Sequence, residues 1–385
     1  MIYLKQICFI LDWYPTKTNN GCVFAKHLIC AIADMGFECV VIAPSIKNIN
    51  SDKIPYSRVE TTAKGSVIRI FTPLYLHFSS RKQTIKLSMN SHFKTVMKTI
   101  KKENLHPDAV YGHFIYQCGL TAARVGKELD VPSYCACGEN SLRLVEGSEP
   151  YATGLKHGNW RVILSSLAGI ISVSEYNKTL LKETGFVSLK MPIGVFPNGY
   201  NKEKFFVMSQ TEARKQLGFP EKDFIVAFTG TFKESKGITE LNKAIENIND
   251  VSAIFMGKGS LKPSGDNILF CDSVPNDKLY LYLNAADVFV LPTKGEGCCN
   301  AIIEALACGL PVVSSDLPFN DDILDETNSI RVDVNDINQI ENAINKLKTD
   351  KSLLNGLREG AARSAEKFDI KVRAENIIRF MELSE

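Results

Sequence analysis

The stretch Asp287–Ser315, DVFVLPTKGEGCCNAIIEALACGLPVVSS, holds the sequence's most informative unit. Its opening, Asp287–Pro292, is a short continuous apolar run closed by a proline, the pattern of a strand buried on both faces. Thr293–Asn300 is polar and glycine-rich, as a loop should be. From Ala301 the apolar residues recur at helical spacing until Gly309, which stands where a helix turns into the left-handed conformation and stops. Pro311 then opens a second strand, PVVSS. Strand, loop, helix and strand in that order imply a right-handed crossover onto a parallel sheet. The loop delivers the chain to a helix N-terminus, where free amides and the helix dipole favour an anion such as a diphosphate. Two carboxylates flank this turn, Glu296 at the start of the loop and Glu304 in about the first turn of the helix. The pattern alone allows two readings. Both carboxylates address one ligand at the strand's carboxyl end, a carboxylate being the usual partner of a vicinal diol; or Glu304 complements the dipole and Glu296 is a solvated loop residue.

The same alternation extends in both directions. Upstream, IYLKQICFILDWYP reads as a strand and exit loop, GCVFAKHLICAIADMGF as a helix and ECVVIAP as a strand. DAVYGHF, VPSYCAC and GIISVS follow, each an apolar run leading into a polar turn. The pattern breaks at VFPNGYNKEKFF, a linker, and restarts with FIVAFTG, GITELNKAIENI, SAIFMGKG, NILFCD, KLYLYLNAA and DVFVLP. This is an α/β chain of two Rossmann-like, doubly wound parallel-sheet domains, predicted at residues 1–200 and 201–365. A C-terminal helical segment, 366–385, packs back on the first domain. The carboxyl ends of the two sheets are expected to face a central cleft, the usual ligand position in such folds.

Composition agrees. At 385 residues the chain exceeds one ordinary core, and it has no low-complexity tract. The near-neutral total of +2 hides an asymmetry: residues 1–205 carry 25 basic and 15 acidic side chains, residues 206–385 carry 20 and 28. The eleven cysteines are scattered through apolar segments without CxxC spacing, which points to reduced thiols, no bound metal and a cytoplasmic protein. No apolar run is long enough to span a bilayer.

The stretch EGCCNAIIEALACGLPVVSS resembles the paired-glutamate signature of retaining glycosyltransferases of the GT-B fold, family 4 or group 1. Other segments resemble the same family in the same order. SEYNKTLLKETG followed by PNGYNKEKF looks like the end of its N-terminal domain and its linker, GTFKESKGI like its phosphate loop, and LYLNAADVFVLPT like the strand leading into the signature. The resemblance implies that Glu304 holds the ribose hydroxyls of a nucleotide donor and Glu296 contacts the donor sugar. Gly297, Cys298, Cys299 and Asn300 would line sugar and phosphate, with Asn198 and Gly230 beside them. Lys236 matches the lysine that neutralises the diphosphate leaving group. The family's neighbouring arginine is absent, its two usual positions holding Thr231 and Ser235, and Lys233 is the available second cation. A point charge does not reproduce a bidentate fork.

In the first domain the resemblance places Gly21 in a loop approaching donor phosphate and acceptor, although an ordinary loop glycine fits there too. His113 and Glu139 end strand-like runs and are expected on the acceptor side, His113 also as a catalytic group; a satisfied structural histidine is the other reading. GKGS at Gly257 lacks the third glycine of a dinucleotide fingerprint and reads as a donor-side turn. The segment from Arg81 to Lys102 has seven basic residues and no acid, with Ile85, Met89, Phe93, Val96, Met97 and Ile100 at helical spacing. A solvated surface helix and a docking face for an anionic membrane at the inner side of the cytoplasmic membrane both fit. Nucleic acid does not, for want of a recognised module.

The expected activity is transfer of a sugar, with retention, from a nucleotide sugar, UDP- or GDP-linked, to a hydroxyl of a saccharide or lipid-linked acceptor. No metal or other cofactor is expected, and the setting implied by the family is assembly of a surface polysaccharide such as capsule or O-antigen. A nucleotide-sugar 2-epimerase of the same fold and a non-catalytic, two-lobed sugar-binding protein are the alternatives.

Overall fold

The computed structural model describes residues 4–16, 22–47, 55–78, 84–139, 160–183, 185 and 187–383. The chain divides into two compact units, Met1–Pro197 together with Ile370–Glu385, and Asn198–Asp369.

The first unit is built on strands β1 (Gln6–Ile10), β2 (Glu38–Ile42), β3 (Ser45–Ile46), β4 (Ser57–Thr61), β5 (Val67–Phe71), β6 (Leu74–Tyr75), β7 (Ala109–His113), β8 (Ser133–Cys137), β9 (Gly169–Ser172) and β10 (Ile193–Val195). Among the described residues its main sheet runs β10-β9-β8-β7-β1-β2-β5-β4, and β3 pairs with β6 apart from it. Every neighbouring pair in the main sheet is parallel except β4 with β5. The central strands β1, β7 and β8 are buried along their whole length, which is why they read as continuous apolar runs rather than alternating ones. The antiparallel edge strand β4 alternates exposed and half-buried residues, as an edge with one wet face must. The strand order reverses between β1 and β7, which puts the loops leaving those two strands at a topological switch point.

Helices α1 (Val23–Ala33), α2 (Ile85–Lys102), α3 (Leu120–Leu129), α4 (Trp160–Leu164) and α5 (Glu175–Glu183) belong to this unit. The basic segment forms α2, and its apolar stripe is turned inward: Ile85, Met89, Val96, Met97 and Ile100 are buried, and His92 donates to or accepts from Thr121 of α3 at 2.8 Å. The face left in water carries Lys86, Lys94, Lys98, Lys101 and Lys102. The apolar stripe that the sequence offered to a membrane packs largely into the core instead, and the exposed face carries these lysines together with Leu87. Arg81–Gln83 lie outside the described residues.

The second unit contains β11 (Phe224–Thr229), β12 (Val251–Met256), β13 (Ile268–Asp272), β14 (Val288–Leu291), β15 (Val312–Ser315) and β16 (Ser329–Val332). They form one all-parallel sheet in the order β13-β12-β11-β14-β15-β16. This is the order of a dinucleotide-binding fold, with its reversal between β11 and β14. Its helices are α6 (Gln210–Leu217), α7 (Ile238–Glu246), α8 (Leu279–Ala285), α9 (Asn300–Ala307), α10 (Ile337–Thr349) and α11 (Lys351–Ala365). KLYLYLNAA alternates like a strand but forms α8, burying Leu279 and Leu283 four residues apart on one face. Helix α9 ends in a Schellman motif, with Gly309 at φ +70°, its N–H on Leu306 O at 2.9 Å and Leu310 N–H on Ala305 O at 3.0 Å.

At the amino end of β14 a buried ion cluster fixes the sheet. Asp287 Oδ2 accepts from Arg214 Nη2 at 2.7 Å and from Ile225 N–H at 2.8 Å, and Oδ1 accepts from Arg358 Nη2 at 3.0 Å. Arg214 spends its other donors on Ala285 O and Glu221 O, so neither buried charge is left unmatched. The last helix, α12 (Ile370–Leu383), returns to the first unit and packs on α1, burying Ala374, Ile377, Ile378 and Met381. Tyr134 of β8 anchors it by donating to Met381 O at 2.5 Å.

Candidate functional site

In the second unit the loops leaving β11 and β14 meet at the switch point, and a glycine makes the meeting possible. Gly237 sits at φ +65°, and a Cβ there would lie 2.1 Å from Pro292 O, the last residue before the β14 loop. Just upstream, Glu234–Lys236 form a single 3₁₀ turn that carries Lys236 to the β14 loop, where its Nζ pairs with Glu296 Oε1. Both side chains are largely shielded, 18% and 15% exposed, and burial holds the Lys236 ammonium below its usual range, with the charge of Lys233 pushing the same way. Lys233 itself is exposed. The two loops are stitched by Lys294 N–H donating to Ser235 O at 2.9 Å and by the Thr293 hydroxyl, 3.2 Å from the same carbonyl.

Beyond Glu296 the loop turns into α9. Asn198 is fastened to it, its N–H on Cys298 Sγ at 3.3 Å and its Nδ2 on Cys298 O at 3.1 Å. Cys299 is the N-cap, without a side-chain oxygen to satisfy the first amides, and Asn300 opens the helix with a buried Oδ1 that has no partner among the described residues. Burial raises the Cys299 thiol, while Lys236 and the amides of Ile302 and Ala301 oppose the shift. Uncapped helix amides and a shielded lysine thus lie at one turn, an arrangement that favours an anionic group.

Glu304 stands in the second turn of α9, not the first, because the helix begins at Asn300. A carboxylate placed to complement the dipole belongs to the first turn and is held low. Glu304 is instead pushed up to about 8 by burial, with Lys204 opposing, and no hydrogen bond to its carboxylate joins it to a described residue. The dipole reading does not fit these facts. Gly230 follows β11 directly, and its carbonyl is approached so closely that a Cβ on Gly257 would lie 1.8 Å from it. The GKGS turn therefore locks the loops after β11 and β12 together, helped by Phe232 N–H on Lys258 O at 3.0 Å.

A cavity of about 630 Å³ opens on the other side of Lys294, walled by Asp316, Arg331 and Asp333. Its cations are already neutralised, Lys294 by Glu240 at 2.8 Å and Arg331 by Asp316 and Asp321 at 3.1 and 2.6 Å. The helix that opens beside it, α10, is capped by Asp336, so the cavity lacks the uncapped helix amides of the switch point.

In the first unit the corresponding switch point is occupied by a strained turn. Phe114 has φ +71° and Gln117 φ +59°, and a Cβ on Gly112 would lie 2.5 Å from Cys118 O. Glu139 holds one end, its Oε1 accepting from Ile115 N–H at 2.7 Å. Asp12, leaving β1, holds the other by accepting from Cys118 Sγ at 3.1 Å, and burial raises Asp12 to about 6. Gln117 donates to Tyr75 OH at 2.8 Å. His113 is 4% exposed among Phe24, Tyr111 and Phe114, its ring nitrogens have no partner among the described residues, and burial lowers it to about 3. It is therefore neutral at ordinary pH, and Glu139 serves the turn through one oxygen. Gly21 lies outside the described residues.

Asp12, Cys118 and Thr293 were not singled out from sequence, and nothing local marks them; Ser235 stood out only as a position where the family carries an arginine, and Gly237 only as part of the segment resembling the phosphate loop. Among the described residues no group of three or more His, Cys, Asp or Glu side chains could hold a metal ion, and no helix is long and apolar enough to cross a membrane.

Residues 209–364 match the family described as glycosyl transferases group 1. A Bacillus subtilis protein assigned by name to teichuronic acid biosynthesis, the glycosyltransferase TuaC, is 28% identical over 324 residues, covering 81% of each chain. Sucrose-phosphate synthase from Thermosynechococcus elongatus superposes with a TM-score of 0.78 at 19% identity, over 97% of this chain and 98% of that one. Anabaena HepE, in complex with UDP and glucose, does so with a TM-score of 0.71 at 15% identity, over 98% and 99%. The chain has the GT-B fold, and its residues 209–364 are similar to the group 1 glycosyl transferases.

Proposed function

We propose that the protein transfers a sugar from a nucleotide sugar to an acceptor hydroxyl with retention of configuration. The observation that carries this reading is the contact of Lys236 with Glu296 at the switch point, beside the open N-terminus of α9. Lys236, with Lys233 nearby, would stabilise the departing diphosphate electrostatically. Glu296 would read the donor sugar's hydroxyls, Glu304 the ribose, and Asn198, Gly230 and Gly297–Asn300 would line the donor. No protein carboxylate is assigned as a nucleophile, so departure and attack are read on the same face, the donor phosphate taking the acceptor proton. Neither step calls on a metal.

The bound UDP and glucose of HepE support a UDP-linked donor, with GDP the alternative base. The name of TuaC supports work on a surface polymer, the acceptor being a saccharide or a lipid-linked one. On the acceptor side, His113 and Glu139 would act through the turn they flank. The lysine face of α2 would suit an anionic membrane surface by charge alone, so sedimentation with anionic vesicles should vanish at high salt.

The test is calorimetric titration of UDP-, GDP- and other nucleotide sugars, followed by transfer assays with acceptor pools and anomeric analysis of the product by NMR. Binding abolished by Glu304→Ala and transfer abolished by Glu296→Ala are expected. Unchanged transfer in both variants would remove the site assignment, and inversion at the anomeric carbon would remove the mechanism.

A further inference from the structure

Thr293 is fully buried, and its single hydroxyl hydrogen faces two acceptors, Ser235 O at 3.2 Å and Glu296 Oε1 at 3.4 Å. The second acceptor is the same oxygen that Lys236 holds. Ser235 O has another donor, Lys294 N–H at 2.9 Å, so it stays satisfied when the hydroxyl turns away. Among the described residues Glu296 Oε1 has no donor besides Lys236 and Thr293. When Lys236 swings to a diphosphate, a shielded carboxylate loses its cation and needs a donor, because an unpaired buried charge is costly.

We propose that Thr293 is a positioning residue of the donor site, its hydroxyl switching from Ser235 O to Glu296 Oε1 as the diphosphate draws Lys236 away. This rests on the donor reading given above. The switch keeps Glu296 aimed at the sugar while its cation serves the leaving group, and it couples diphosphate capture to sugar recognition across two loops. Thr293 itself touches no substrate, since it is sealed from solvent. With a diphosphate alone, water in the empty sugar position serves Glu296, whose side chain is 15% exposed; the hydroxyl therefore matters only where a diphosphate and a sugar are both present.

The experiment compares wild type, Thr293→Ser, Thr293→Val and Thr293→Ala. Affinity for UDP and GDP is measured by calorimetry, and kcat and KM are measured for whichever nucleotide sugar the wild type uses. A hydrogen bond to a charged group corresponds to roughly tenfold to a hundredfold. The hydroxyl-free variants should therefore lose about that much in kcat/KM while keeping nucleoside diphosphate affinity within about twofold. Thr293→Ser should restore most of the loss. Equal losses for diphosphate and nucleotide sugar would make the residue merely structural and overturn the proposal, as would unchanged kcat/KM or failure of serine to rescue. Thr293→Ala supplies the hydroxyl-free readout if the valine variant does not fold. Wild type that binds no nucleoside diphosphate would instead overturn the donor site itself, a separate result read before any variant.

Discussion

Gly237 and Pro292 occupy one space: at φ +65° the glycine leaves no room for a Cβ, which would lie 2.1 Å from the proline carbonyl oxygen. That approach brings the loop after β11 against the loop after β14 and so puts Lys236 on Glu296. Gly237→Ala should push the loops apart. Left-handed backbone and the clash together should cost about 2 kcal/mol or more of stability, and nucleotide affinity should fall at least about tenfold. Urea unfolding and calorimetric titration measure the two effects. A variant of wild-type affinity would show that the loop contact does not organise the site.

Glu304, pushed up to about 8, is mostly protonated at pH 7 in the free protein. Ribose hydroxyls donating to it would favour the carboxylate. Nucleotide binding at pH 7 should accordingly release a proton. Titrations in buffers of different ionisation enthalpy read that proton directly, and Glu304→Gln should abolish its release. The same shift sets a stability trend. Between about pH 4.5, where the unfolded carboxyl ionises, and about pH 8, the folded form retains a proton that the unfolded form has lost. Stability therefore falls as pH rises through this window, and Glu304→Gln should remove that component.

The strands could be read from sequence because parallel strands buried on both faces are written as short apolar runs, and DVFVLP and PVVSS are bounded by prolines that punctuate them. Gly309 was legible for a similar reason, since a helix end demands a residue that tolerates positive φ. What was not legible depends on partners distant in the chain. The apolar stripe of α2 looked the same whether a membrane or a core would cover it, and α3 with β6 decided the matter. Asp12 meets Cys118 only because β1 and β7 are adjacent in the sheet. Thr293 is one polar residue in a polar loop, and its role follows from the loop of Ser235, 58 residues away. The turn of α9 that carries Glu304 depends on where the helix starts, the least certain feature of any sequence reading.

Asp287 lies at the amino end of β14, opposite the strand end that leads into the candidate site, and it neutralises Arg214 while accepting from Arg358. Asp287→Ala strands a buried guanidinium and the Ile225 amide. A loss of about 3–5 kcal/mol is expected, with nucleotide affinity unchanged under conditions where the variant is folded. Chemical unfolding alongside titration tests this separation. Loss of affinity without loss of stability would contradict a purely structural role.

His92 is buried between α2 and α3, bonded through Nδ1 to Thr121 Oγ1 at 2.8 Å, and burial lowers it to about 3. Below about pH 6.5 the unfolded chain takes up a proton at this residue while the folded chain does not. Its contribution to stability is thus complete above that pH and is lost progressively as pH falls towards 3. A full difference of one proton corresponds to about 1.4 kcal/mol per pH unit. His92→Gln keeps a side chain able to meet the threonine hydroxyl but cannot titrate. The gap between wild type and this variant should therefore shift in the variant's favour as the pH is lowered from 6.5 to 4, even if glutamine packs less well at neutral pH. Unfolding free energies measured at several pH values supply the comparison, and parallel curves for the two proteins would show that His92 is not buried in its neutral form.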